Sequence, residues 1–228
     1  MITDRYKAVV FDFDGTLYPK TSPIACHLVL NDLRHMRWLF YERVSRSELA
    51  GKDFKNQHDF FAAHFAKIAK LVDTTPEKVE SWYMNNYRKL MLKVLHKHYQ
   101  KQERLNLILK KFNDCGIKTA CFSDYGDVHN RLKAIGIESG IDFEWGAEEM
   151  GALKPAARPF NEIINALGFA PNEILMVGDR ADTDGAVAKK AGVDFVYIKK
   201  NEKSKLPKDF DSSFKALTWN EFANEILS

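Results

Sequence analysis

The chain has 228 residues, 45% of them hydrophobic, and 34 Lys and Arg against 31 Asp and Glu leave a net charge of +3. That near-balance does not point to a nucleic-acid partner, the apolar runs are far too short to span a bilayer, and the start lacks the ordered charged, apolar and small-residue segments of a secretion signal. Cys26, Cys115 and Cys121, an odd set with no CxxC, read as reduced thiols of a cytoplasmic protein.

The first predicted element is a buried strand, Ala8 to Phe11, short, β-branched and aromatic. It runs into Asp12-Phe13-Asp14-Gly15-Thr16-Leu17-Tyr18. Residues i and i+2 of an extended chain point to one side, so Asp12 and Asp14 are expected to emerge together at the strand's C-terminal end. Taken alone, the pair reads equally as a polar turn or as the mouth of a site. From Tyr18 to Tyr99 no strand signal follows. Apolar stripes at helical spacing appear instead: Ile24, Leu28, Met36, Phe40 and Val44; Phe61, Phe65, Ile68 and Val72; Val79, Tyr83, Tyr87, Leu90 and Val94. Ser45 to His58 reads as a polar connection, and Thr75-Pro76 as a helix start with Thr75 at the cap. Residues 18–99 are therefore expected to form an inserted all-helical domain.

From Gln102 onward, helices and strands alternate. The expected strands are Ile117–Phe122, Phe143–Trp145, Glu173–Val177 and Val193–Ile198. Helices with Leu105 to Phe112, Asp127 to Ile135, Pro159 to Leu167 and Asp184 to Ala191 lie between them, closed by Gly116, Gly136, Gly168 and Gly192. A Lys-rich loop, Lys199 to Lys208, precedes a last helix, Trp219 to Leu227. This alternation implies a parallel sheet with helices on both faces, an α/β Rossmann-like core made of residues 1–17 and 100–228.

Four polar clusters fall at strand ends: Asp12 with Asp14; Ser123; Lys154 in Gly-Ala-Leu-Lys-Pro; and Gly178-Asp179 with Asp184. Neighbouring parallel strands bring these ends into one crevice. Carboxylates gathered there repel unless a cation joins them, and Lys154 plus a hard divalent ion would serve. Mg2+ favours one or two carboxylates completed by phosphate and water, and Asp12 and Asp179 could supply them. One carboxylate can then attack phosphorus while a second exchanges the proton. For that, Asp14 must be neutral when substrate arrives. Ser123 and the backbone N–H groups of Gly15 and Thr16 could donate to phosphoryl oxygens.

The four clusters resemble, in order, the four motifs of the haloacid dehalogenase-like (HAD) phosphohydrolases. The helical insertion is similar to the cap of one large subgroup. The resemblance implies a HAD-like fold and a Mg2+-dependent phosphatase acting on a small phosphorylated metabolite through an aspartyl-phosphate. It implies Asp12 as nucleophile, Asp14 as acid/base, and Ser123 and Lys154 as further catalytic and substrate-binding groups. Metal ligation would come from Asp12, the Asp14 carbonyl and Asp179, with Asp184 direct or through water. Gly15, Thr16 and Tyr18 would face the substrate, and Arg34, Arg37 and Arg88 are candidate selectivity residues on the insertion. The dehalogenase branch resembles Asp-x-Tyr where this chain has Asp12-Phe13-Asp14. A phosphomutase on the same scaffold and a non-catalytic phospholigand-binding protein are the alternatives. No nucleic-acid or membrane partner is expected, and the chain is expected to be a monomer or weak dimer. Asp124, one residue after Ser123, either adds negative charge at the phosphate site or turns outward. Asp182 is open between a site residue and a helix cap, and Arg180 between a site residue and a partner for neighbouring carboxylates.

Overall fold

The computed structural model describes residues 2–208 and 210–228. Six strands form one parallel sheet: β1 (Ala8–Phe11), β2 (Lys118–Ser123), β3 (Phe143–Gly146), β4 (Ile174–Gly178), β5 (Asp194–Lys199) and β6 (Lys215–Thr218), in the order β3-β2-β1-β4-β5-β6. All four residues of β1 are buried, as an unbroken apolar run at the centre of a two-sided sheet must be. Phe11 is level with Cys121 of β2 and Val177 of β4. Asp12 therefore leaves the sheet one step later, flanked by Ser123 and Asp179 another step along. The register alone gathers three of the four polar clusters at the carboxyl edge.

The helices that cover this sheet include α7 (Leu105–Asp114), α8 (Val128–Ala134), α9 (Ala157–Leu167), α10 (Ala186–Ala191) and α11 (Trp219–Leu227), while α1 (Ile2–Arg5) precedes β1. Gly168 and Gly192 end α9 and α10 in the left-handed region, the expected helix–Gly–strand punctuation. Between β1 and α7 the chain forms α2 (Ile24–Asn31), α3 (Met36–Leu49), α4 (Gln57–Val72), α5 (Pro76–Trp82) and α6 (Arg88–His98), with no strand. A π-helical turn, Tyr83–Tyr87, joins α5 to α6. Phe60, Phe61, Phe65, Trp82, Tyr83 and Tyr87 are buried among these helices, where they pack as core.

Several expectations need correction. Two elements, α1 and the edge strand β6, carry too little apolar pattern to be read locally. Thr75 and Pro76 stand at the cap and first helical positions of α5 as expected, although the Thr75 side chain makes no capping hydrogen bond. The supposed connection Ser45–His58 is half helix, because α3 runs on to Leu49 and Asn56 caps α4 through Asp59 N–H at 2.9 Å. The inward face of α3 also differs from the apolar stripe. Met36 and Phe40 are exposed, and Leu39, Glu42, Ser45, Arg46 and Leu49 are buried. Charged groups are tolerated there because partners lie waiting. Arg46 Nε donates to Glu42 at 2.7 Å, its Nη1 to the Asp124 carbonyl, and its Nη2 to Tyr83 Oη and to Glu148. Glu148 stands just after β3, so this buried cluster fastens the helical segment to the sheet.

Candidate active site

At the centre is Asp12, nearly buried at the end of β1. Its Oδ1 accepts from Lys154 Nζ at 2.6 Å and its Oδ2 from Thr16 Oγ1 at 3.1 Å. Lys154 also donates to Asp184 Oδ1 at 2.7 Å and to the Phe122 carbonyl at 3.2 Å, so its three protons are all engaged within the site. The ammonium is thus held between two carboxylates, with its basicity raised well above that of a free lysine. Burial opposes that shift; the charges of Asp12 and Asp184 outweigh it.

One oxygen each from Asp12, Asp179 and Asp184 lies within 4.8 Å of the others. Burial and the Asp12 charge push the Asp184 carboxyl up to about 8, against the pull of Lys154. Burial likewise carries Asp179 to about 6, with Lys20 lowering and Asp12 raising it. Asp179 Oδ1 is buried without a hydrogen-bond partner, while Oδ2 takes Lys20 Nζ at 2.7 Å. An orphaned carboxylate oxygen in an all-oxygen cluster short of positive charge fits a hard divalent cation. Gly15 makes this approach possible: at φ +90° it lies so close to Asp179 that an added Cβ would stand 2.2 Å from Oδ2.

Asp14 lies outside that cluster, in a different environment. Its Oδ1 accepts from Tyr18 Oη at 2.6 Å, and its Oδ2 from Arg131 Nη2 at 2.7 Å. Burial drives the Asp14 carboxyl up, but Arg131's charge and the two hydrogen bonds overcome it and hold the group below the ordinary aspartate value. The free site therefore favours an ionised Asp14, and the neutral form expected when substrate arrives must be promoted by the substrate. Tyr18, buried at the start of the insertion, is held well above the usual phenol range by burial and by Asp14.

Ser123 closes β2 and is fully buried. Thr16 N–H faces back to the Phe13 carbonyl at 3.4 Å, inside the turn. Asp124 Oδ1 accepts from Lys154 N–H at 2.9 Å, bracing the loop that presents the lysine; burial raises its carboxyl, with Lys154 lowering it and the Asp12 charge adding to the rise. Asp182 neither caps a helix nor joins the cluster; it forms an exposed pair with Arg180, 2.5 Å at the shortest contact. Arg88 is spent on Glu148 at 3.1 Å, and exposed Arg37 donates to the Leu71 carbonyl, while Arg34 is exposed. A cavity beside the site is lined by Tyr83, Tyr87 and Arg88 of the helical segment and by Tyr125, Arg131 and Glu148.

Arg131, Lys20 and Glu148 were not singled out from the sequence. For Arg131 a signal existed: Val128, Arg131 and Leu132 share the buried face of α8, and an arginine on an apolar face needs an anionic partner. Lys20 and Glu148 carry no local mark.

Residues 6–192 match the family described as haloacid dehalogenase-like hydrolase. Glyceraldehyde 3-phosphate phosphatase from Methanopyrus kandleri is 29% identical over 206 residues, 86% of this chain and 85% of that protein. Among solved structures, the 2-haloacid dehalogenase of Pseudomonas syringae superposes with a TM-score of 0.67 at 17% identity, covering 97% of this chain and 98% of the other. The HAD hydrolase YfnB of Bacillus subtilis, solved with magnesium bound, gives 0.65 at 16% identity over 98% and 99%. At such identities these two speak for the fold alone. No helix among the described residues is long and apolar enough to cross a membrane.

Proposed function

We propose a Mg2+-dependent phosphatase activity on small phosphate esters for this chain, which belongs to the haloacid dehalogenase-like hydrolase family. The observation that carries the reading is the division of labour between two carboxylates spaced i, i+2. Asp12 sits among cations and other carboxylates, while Asp14 is held apart by a phenol and a guanidinium. Environments that differ in this way separate a nucleophile from an acid/base. An Asp at position 14 also departs from the Asp-x-Tyr of the dehalogenase branch. The phosphatase name of the Methanopyrus relative supports the same reaction.

In this reading an Asp12 oxygen attacks phosphorus and the ester oxygen leaves with a proton from Asp14. Water then attacks the acyl phosphate as Asp14 takes its proton, which frees Asp12 and releases phosphate. The ionised Asp14 of the free site suits the second step. For the first it must carry a proton, which a phosphate dianion brought beside it promotes. Lys154 holds Asp12 in place and offsets the charge of Asp184, and Ser123 donates to a phosphoryl oxygen. Asp12, Asp179 and the Asp14 carbonyl would hold Mg2+, with Asp184 beside them; the ion neutralises phosphate charge and lowers the barrier to attack. We read residues 18–99 as a cap over a core of 1–17 and 100–228. The cavity between Tyr87, Arg88 and Tyr125 would then take the leaving group. Its small, tyrosine-lined walls suit a short polar alcohol.

The test is phosphate release from a panel of small esters with and without Mg2+, alongside Asp12→Asn. Metal-dependent release that the variant lacks supports the reading; full activity of Asp12→Asn, or release unaffected by chelator, refutes it.

A further inference from the structure

We infer that Arg131 is a positioning residue for phosphoryl transfer, aligning Ser123 as a hydrogen-bond donor and fixing Asp14 with the same guanidinium; the inference rests on the phosphatase reading. The guanidinium is buried, with Cζ 4.2 Å from the centroid of Phe13 and 5.2 Å from that of Tyr125. Aromatic neighbours on Phe13 and Tyr125 hold its plane, so its two terminal nitrogens have little freedom. Nη1 donates to Ser123 Oγ at 2.6 Å and Nη2 to Asp14 Oδ2 at 2.7 Å. Ser123 Oγ also accepts from Tyr125 N–H at 3.2 Å.

A hydroxyl has two lone pairs and one proton. With two N–H groups directed at its oxygen, Ser123 has spent its acceptor capacity. Its proton must be given to another group, and arginine cannot receive it. An unconstrained serine would spend part of its time turned to accept. Here the hydroxyl is held as a donor before substrate arrives, which is the pre-organisation that a developing phosphoryl charge rewards. The other arm keeps Asp14 in one rotamer, with Tyr18 on its second oxygen. One fork thus ties together groups from β2 and from the loop after β1, on elements more than a hundred residues apart in sequence. Lysine cannot reproduce it, because an ammonium does not present two parallel donors in a fixed plane.

The test uses the full chain with Mg2+ and para-nitrophenyl phosphate. Arg131→Ala and Arg131→Met are expected to lower kcat about 100-fold, the scale of losing a pre-organised donor, with KM within about threefold. Arg131→Lys should recover only a small part. Guanidinium ion should restore Arg131→Ala substantially, entering between Phe13 and Tyr125, whereas equal concentrations of sodium or methylammonium should not. In a Ser123→Ala background, Arg131→Met should cost about tenfold less than in the parent, since their target is shared. Circular dichroism and melting temperature identify any variant that has not folded; in that event the Lys variant and the rescue of folded Arg131→Met carry the decision. Arg131→Ala or Arg131→Met within about threefold of the parent kcat, or losses from Ser123 and Arg131 that simply multiply, would overturn the inference. Those outcomes leave the phosphatase reading intact, whereas a parent protein that releases no phosphate, or an active Asp12→Asn, defeats that reading itself.

Discussion

Replacing Glu148 with alanine should loosen the joint between the helical segment and the sheet. Glu148 is 1% exposed and accepts four donors: Arg46, Tyr83 Oη at 2.8 Å, Arg88 at 3.1 Å and Gly126 N–H at 2.9 Å. Without it, Arg46 keeps Glu42, Tyr83 Oη and the Asp124 carbonyl, while Arg88 keeps Glu149 at 3.9 Å and its place over the Phe61 and Tyr83 rings. Breaking one side of a buried ion pair costs about 3–5 kcal/mol, much of it from the charge left behind. At about 2–4 °C per kcal/mol for a chain of this size, Glu148→Ala should melt about 6–20 °C below the parent. Thermal and urea unfolding with Glu148→Ala, Glu148→Leu, Arg46→Met and the pair Arg46→Met/Glu148→Leu measure it. Removing both charges should cost less than the two single losses added together, because the singles share the Arg46–Glu148 pair, even though Glu42 and Arg88 each lose a partner. A Glu148→Ala loss below about 1 kcal/mol, or a pair whose cost equals the sum of its singles, would refute the claim that this cluster is a coupled buried network.

His64 supplies a pH test. It is fully buried, its Nδ1 pairs with Ser45 Oγ at 2.9 Å, and its Nε2 has no partner. Burial first, and the Arg46 charge second, hold it well below its ordinary value, so the folded protein keeps it neutral. The unfolded chain takes up a proton below about pH 6.5 and the folded one does not, so stability should fall as pH drops below 6.5, by up to about 1.4 kcal/mol per unit. Urea midpoints for the parent and His64→Phe between pH 5 and 7.5 should converge in slope only above 6.5; identical slopes throughout would exclude the histidine as the cause. Asp179→Asn should weaken Mg2+ binding by about tenfold or more by titration calorimetry. The same substitution should raise the melting temperature without metal, because it removes a carboxylate that its surroundings force upward; a lower metal-free melting temperature would contradict the crowding described for the site.

The sheet and three of the strand-end clusters were legible because their signals are local; Lys154 lies instead in a loop beyond the turn Ala147–Met150 that follows β3. A central parallel strand is an unbroken apolar run, and Asp12, Ser123 and Asp179 each follow such a run or a Gly break. What escaped depends on partners far away in sequence. The inward face of α3 was misplaced because Met36 and Phe40 outrank Glu42 and Arg46 on any apolar pattern. Glu42 one turn away and Glu148, about a hundred residues later, together make burying Arg46 tolerable. Arg131 looks like one more basic residue near the end of a short helix until Ser123 and Asp14 meet it. The same guanidinium keeps Asp14 ionised in the free site, an effect no local pattern around Asp12 and Asp14 announces. The four residues of β6 lie at the sheet edge with only Leu217 buried, too weak a pattern to register as a strand.

On the proposed phosphatase reading, Asp12 is phosphorylated during turnover. Rapid acid quench of the full chain during turnover of 32P-labelled acetyl phosphate with Mg2+ tests it directly. The expected result is enzyme-bound label that survives acid, is released by hydroxylamine, maps to the peptide containing Asp12 and is absent from Asp12→Asn. Phosphate release with no bound label at any quench time, or label that persists in Asp12→Asn, would contradict it.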